Sequence, residues 1–218
     1  LDDGTGSVAI PIPQVWSVMI LEGLVTSLNA AGMLNLAPMG PIVDETMSHL
    51  ILRPFQTSTT FQNLRQRPQG VFHVVDDVLL IAQAALHRLP VLPDTFPAEQ
   101  IDGRVLKDCC RWYEFEIIEC DESSERTRLE ARVVHTGRIR DMFGFHRARH
   151  AVLEATILAT RLHLIPEQEV RAQLKGLSIP VEKTAGPREQ EAFALVCDVV
   201  DSWYRDQAHA CNRSRIGD

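Results

Sequence analysis

Two hydrophobic periods divide this chain, and the division restricts its fold more than any other feature. Up to about residue 138, apolar residues come in short runs and alternations punctuated by Gly, Pro, Asn and Asp; beyond residue 140 they recur at helical spacing. Strands followed by helices, rather than strands alternating with helices, predict an α+β fold. The 218 residues, 45% hydrophobic and 23% charged, suffice for one β domain and a smaller helical unit. The boundaries expected are residues 15–138 and 140–210.

Six strands are read in the first part. Val18 to Ser27 is apolar on both faces, Val18, Ile20 and Leu24 on one and Met19, Leu21 and Val25 on the other, as in a barrel wall covered outside. Asn29-Ala30-Ala31-Gly32 forms a turn, and Leu34 to Val43 pairs back as a hairpin. Pro38 and Pro41 lack ladder donors and mark an edge or bulge there. His49 to Arg53, Val71 to Val75, Arg111 to Cys120 and Thr127 to Arg138 complete the set, the last two as a long antiparallel pair. A short helix follows Thr57, and another runs from about Val78 to His87, capped by Asp76 or Asp77. Residues 88–108, with Pro90, Pro93, Pro97 and Gly103, read as a long loop. In the second part, helices are expected over His146–Ile165 and Pro166–Leu174, with a two-proline linker from Gly176 to Pro187. The last helix carries the cleanest period in the chain: Ala192, Leu195, Val196, Val199, Val200 and Trp203.

Composition removes some functions. A net charge of −7 disfavours nucleic acid as a partner, because phosphate backbones demand a positive field. No apolar run reaches the roughly 18 residues of a membrane span, and the polar start, Leu1 to Gly6, is unlike a signal peptide. Five cysteines, an odd number without a Cys-x-x-Cys pair, fit reduced thiols in a cytoplasmic protein. Gly-x-Gly-x-x-Gly, Walker and Gly-x-Ser-x-Gly motifs are all missing from the sequence.

Two segments carry candidate chemistry. Arg53-Pro54-Phe55-Gln56-Thr57-Ser58-Thr59-Thr60 places hydroxyls at a helix start, where free N–H groups and the helix dipole attract phosphate. Arg53 would add a charge-assisted contact. Taken alone, the same residues also make a plain N-cap. Ala37-Pro38-Met39-Gly40-Pro41 offers backbone amides with little side-chain bulk, a surface suited to a flat ring, though also to a proline-protected edge strand.

Order and spacing join the two. Met19-Ile20-Leu21-Glu22-Gly23, Leu36-Ala37-Pro38-Met39-Gly40-Pro41, Arg53-Pro54-Phe55 and Phe145-His146-Arg147-Ala148-Arg149-His150 together resemble the family called domain of unknown function four-four-seven. The resemblance implies a six-stranded antiparallel split β-barrel of the flavin-reductase type with a helical C-terminal domain, assembled as a homodimer. It implies FMN as cofactor, with Ala37, Pro38, Met39, Gly40 and Pro41 facing the ring. Thr57, Ser58, Thr59 and Thr60 would hold the phosphate, with Arg53 beside them. The function implied is a flavin-dependent oxidoreductase or flavin reductase acting on a small molecule, with a pyridine nucleotide or pterin-like compound as partner. A non-catalytic flavin module or a degenerate scaffold are the alternatives. No catalytic side chain is nominated, since the cofactor supplies the redox chemistry.

Other groups have simpler readings. His146, His150 and Glu154 share a helix stripe that fits a polar face better than a metal site. Arg147 and Arg149 are candidates to reach an anion near the barrel mouth. His73 is expected as a neutral core histidine, Glu22 as a buried carboxylate needing a partner, and Cys109-Cys110 as strand residues on opposite faces.

Overall fold

The computed structural model describes residues 19–214. Val18, the polar start and the first residues of the expected 15–138 unit lie outside the described residues. The elements in chain order are β1 (Met19–Ile20), β2 (Gly23–Leu28), β3 (Leu34–Met39), β4 (Ile42–Val43), β5 (His49–Leu52), α1 (Thr59–Gln66), β6 (Gln69–Val74) and α2 (Val78–Ala85). They continue with β7 (Thr95–Pro97), β8 (Arg104–Leu106), β9 (Arg111–Asp121), β10 (Arg128–Arg138), α3 (Arg147–Ala159), α4 (Glu167–Thr184) and α5 (Pro187–Ser214).

The main sheet is antiparallel with the order β1-β4-β5-β10-β9-β6-β2-β3. Its eight strands are the expected six, with the first two each broken once. The first breaks at Leu21-Glu22 and the second at Gly40-Pro41, and the hairpin register carries on across both breaks: β2 pairs with β3, and β1 with β4. The broken strands meet where they break. Leu21 N–H donates to the Pro41 carbonyl at 3.2 Å, and a Cβ on Gly40 would lie 2.8 Å from Ile20 and 2.7 Å from the Glu22 carboxylate. Only glycine permits that approach.

The sheet curls around one apolar core. Val25, Val43, Leu50, Leu52, Phe72, Phe115 and Leu129, from β2, β4, β5, β6, β9 and β10, pack together with Phe61 and Leu64 of α1. The outer face is covered as well: Leu24, Leu36, Val71 and Trp112 belong to a second core with Ile81 and Ala84 of α2. β2 is therefore buried along its whole length, while Met19 and Ile20, expected to be covered too, are exposed.

Three expectations need correction. Residues 88–108 are not a plain loop: Thr95–Pro97 and Arg104–Leu106 pair as a hairpin across the outer face. Its prolines and Gly103 hide that pairing, which is fixed from outside. Val105 and Leu106 are buried, Thr26 Oγ1 donates to the Arg104 carbonyl at 2.6 Å, and Glu114 accepts the N–H groups of Glu99 and Gln100 at 2.8 and 2.7 Å. Gly176 to Pro187 is largely not a linker, because α4 continues through Pro180 to Thr184. A proline inside a helix costs about 3 kcal/mol, and here the buried Val181 and half-buried Leu177, packed against α3 and α5, offset it. Cys109 and Cys110 are both buried just ahead of β9, not on opposite faces of a strand.

The strands and the C-terminal helices interlock through α2. Val78 and Leu79 pack with Ala148, Ala151, Val152 and Ala192, and Ala82 with Ala155, Val196 and Val200. Ions reinforce the seam. Asp77 caps α2 through the N–H groups of Leu79 and Leu80 and pairs with Arg188. Asp76 takes Arg140 at 2.6 Å and Arg149 at 3.1 Å, and Arg149 reaches on to Glu189 at 3.0 Å. The Arg140 hydrogen bond leads the effects that hold the Asp76 carboxyl below the usual range. Arg149 is thus committed to carboxylates rather than offered to a ligand, and His146 caps α3 by accepting the Arg149 N–H.

Candidate functional site

A cavity of about 430 Å³ lies between the edge strand β3, the start of α1 and the end of α3. Its volume is in the range of small-molecule sites. One wall is Ala37, Pro38, Met39 and Gly40, flat because the strand there carries little side-chain bulk. Facing it are Ile81 and Ala85 of α2 with Leu153, Thr156 and Ile157 of α3. Arg53, Pro54, Phe55, Ser58 and Thr60 also line it.

The start of α1 is built to receive an anion. Ser58 is the N-cap of α1: its hydroxyl accepts the Phe61 N–H at 3.2 Å and donates to the Phe55 carbonyl at 2.7 Å. The Thr59 and Thr60 amides at the helix start take no partner among the described residues. Such unpaired donors, with the helix dipole behind them, draw negative charge. Thr60 is buried, and its hydroxyl accepts from Asn35 Nδ2 at 3.1 Å. Asn35 also reaches Ser27 Oγ at 3.4 Å, and Asn63 Nδ2 donates to that hydroxyl at 3.1 Å. This small polar network ties the helix start to β2 and β3, so the amides are held rigidly.

Three guanidinium groups line the same cavity: Arg53, Arg126 and Arg161. Arg126, from the turn before β10, stacks 5.0 Å from the Phe55 ring centre and donates to the Arg53 carbonyl at 3.1 Å. Three arginines against one lining carboxylate, Glu22, give a local positive field in a chain whose net charge is −7.

Of the ten residues expected at the site, the cavity brings together seven: Ala37, Pro38, Met39, Gly40, Arg53, Ser58 and Thr60. Pro41, Thr57 and Thr59 are not on its wall; Thr57 and Thr59 are exposed, and Pro41 uses its carbonyl on Leu21. Sequence reading passed over Arg126, Arg161 and the Thr156–Thr160 face. These residues lie more than sixty positions from the hydroxyl turn; the β9–β10 turn delivers Arg126, and α3 with the residues just after it delivers the rest. Glu22, expected as a buried carboxylate that would pair with an arginine or tune a site, is exposed while lining the cavity. His73, by contrast, sits where its strand implied, fully buried. Its Nε2 accepts the Leu106 N–H at 3.1 Å while Nδ1 donates to the Leu24 carbonyl, and burial pushes its pKa down to about 4.

The fold is similar to that of an FMN-bound protein from Methanosarcina mazei, with a TM-score of 0.70 at 23% identity over 83% of this chain and 94% of that one. Two further solved structures match part of the chain. An FMN-binding protein from Thermus thermophilus with bound p-hydroxybenzaldehyde gives a TM-score of 0.49 at 13% identity, over 62% and 81% of the chains. The Pseudomonas fluorescens 2-nitrobenzoate 2-nitroreductase gives 0.46 at 21%, over 54% and 64%. At these identities the likeness is one of fold. No curated protein matches the chain. The family model described as protein of unknown function (DUF447) N-terminal domain matches residues 21–140, and its companion, protein of unknown function (DUF447), matches 146–198; the chain belongs to this family.

Proposed function

We propose that the chain is a flavoprotein that binds FMN in this cavity and serves as a flavin-dependent oxidoreductase or flavin reductase for a small molecule. The observation that carries the reading is one cavity lined both by the small-residue stretch Ala37 to Gly40 and by the start of α1 among arginines. A planar ring and a phosphate make opposite demands, and this cavity meets both. The FMN held by the Methanosarcina mazei relative supports the same reading.

When bound, FMN supplies the redox chemistry, and the protein supplies position and field. Backbone groups of Ala37 to Gly40 orient the ring from one side, while Ile81, Leu153 and Ile157 exclude water from the other. The Thr60 amide, with Arg53 and Arg126, would hold the phosphate. A pyridine nucleotide or pterin-like compound as reaction partner, a homodimer and a cytoplasmic location belong to this proposal, as does the division into units 15–138 and 140–210. A groove of about 360 Å³ along β4, β5 and β10, where Ile42 and Ile51 lie beside Asp44, His49, Arg128 and Glu130, is the face on which the second copy would pack. Among the described residues, no helix is long and apolar enough to cross a membrane.

The test is FMN titration followed by absorbance, with riboflavin in parallel. Arg126→Ala removes one charged donor, worth about 1.5–3 kcal/mol or roughly 10- to 100-fold in affinity. FMN should weaken by that factor and riboflavin by far less. Equal weakening of both would move the phosphate away from Arg126, and no retained flavin in the wild type would end the reading.

A further inference from the structure

We infer that Glu22 is the proton-holding residue of this cavity: its carboxyl takes up a proton when an anionic cofactor fills the site and keeps it beside the Ala37–Gly40 wall. The inference rests on the flavin reading above and goes beyond it by naming a group that changes charge on loading.

The lining residues single out Glu22. Among them are three arginines, which stay charged at any working pH, and neutral Ser and Thr hydroxyls. Among the described residues, no His, Cys, Tyr, Lys or second acid lines this cavity. Among the described lining residues, Glu22 is therefore the one carboxyl group, and its pKa is raised above the ordinary carboxylate value. Its position is fixed by the strand break: the carboxylate oxygens lie 2.7 and 2.9 Å from where a Gly40 Cβ would be, so they rest on the wall assigned to the ring. Glu22 also lines a second cleft of about 260 Å³ beside α3, bordered by Val78, Met142 and His150 and sharing Ile81 and Leu153 with the first. The carboxyl thus stands between the two spaces, with a path to solvent through the cleft.

The surrounding charges set the direction. From α3, Glu154 faces Glu22 and repels its anion, while Arg161 just beyond α3 attracts it. Arg53 and Arg126 also line the cavity, and Asp76, His146, Arg149 and His150 border the cleft. Partial desolvation, then Glu154, raise the Glu22 pKa in the open cavity although the residue is exposed, against Arg161. A bound cofactor removes the remaining water and adds negative charge, and both effects favour the protonated carboxyl further. Binding must then take up protons, and affinity falls as pH rises through the interval between the free and loaded pKa values, by about tenfold per pH unit at most.

The measurement is isothermal titration calorimetry of the whole chain with FMN, in buffers of different ionisation enthalpy at about pH 6, between the carboxylate and cysteine ranges. Riboflavin is titrated alongside, because the FMN phosphate ionises near the same pH. Wild type should take up a fraction of a proton, up to one, with either ligand. Glu22→Gln should reduce that uptake for both ligands, more for FMN, whose phosphate adds charge, than for riboflavin, which only displaces water, and Glu22→Asp should retain part of it. Equal proton counts in wild type and Glu22→Gln overturn the inference, as does wild type binding riboflavin without uptake should the Gln variant fail to fold. Wild type that binds neither flavin would overturn it together with the flavin reading, and the absent binding heat separates that outcome from the others.

Discussion

Gly137→Ala pits local propensity directly against packing. Gly137 lies in β10 opposite Trp112 of β9. Strand glycine is disfavoured, so alanine on propensity alone should stabilise by about 0.5–1 kcal/mol. The structure predicts the opposite sign. A Cβ at Gly137 would sit inside the van der Waals envelope of the Trp112 six-membered ring. That ring cannot retreat freely: it is 7% exposed, its Nε1–H donates to Glu114 at 3.1 Å, and its edge meets Phe96 at 5.6 Å between centroids. Overpacking of this kind costs about 1–3 kcal/mol, and a lost hydrogen bond to a carboxylate would itself cost about 1.5–3. A net destabilisation of about 2–3 kcal/mol follows, read by urea denaturation as a lower midpoint at unchanged slope. In a Trp112→Phe background the smaller ring leaves room, and the same substitution should cost under about 0.5 kcal/mol, the double-mutant difference reporting the clash. A single-variant midpoint equal to or above wild type would refute the reasoning.

Two more predictions concern stability. His73 is held neutral, so its contribution is complete above the unfolded value of about 6.5 and is lost as pH falls toward the folded value of about 4. Stability should drop by about 3 kcal/mol across that window, and a His73→Gln variant should show a flatter pH profile by denaturant titration. Pro180→Ala restores a helix donor inside α4. Thermal unfolding should shift upward by several degrees, corresponding to at most the roughly 3 kcal/mol proline penalty; an unchanged or lower midpoint would show that the helix is shaped around the proline.

What the sequence makes legible depends on whether a residue's partner is near in the chain. The six apolar strands are readable because alternation is local, and Asp77 and Ser58 are readable as caps because their partners are two or three residues on. The β7–β8 hairpin is hidden because its pairing answers to Thr26, His73 and Glu114, and its own residues are breakers. Pro180 misleads for the same reason, since the packing of Val181 rather than propensity decides the local state. At the site, the flat wall and the hydroxyl turn stand out in sequence as compositional oddities. Arg126, Arg161 and the charge-bearing side of Glu22 do not, because an arginine or a glutamate has no local pattern that announces what lies opposite.

Helix α2 has a consequence for how such a chain can change. It is only eight residues long, yet Ile81 and Ala84 belong to the core over the sheet, while Val78, Leu79 and Ala82 belong to those of the C-terminal helices. No cut through the molecule leaves either part with an intact interior. A volume change at Ala82 has to be compensated among Ala155, Val196 and Val200, and one at Ala84 among strand residues. Ile81 and Ala85 are also the floor of the cavity. Mutational drift in the distant helices is therefore transmitted to the binding surface, and the strand and helix parts are bound to vary together, not as interchangeable modules.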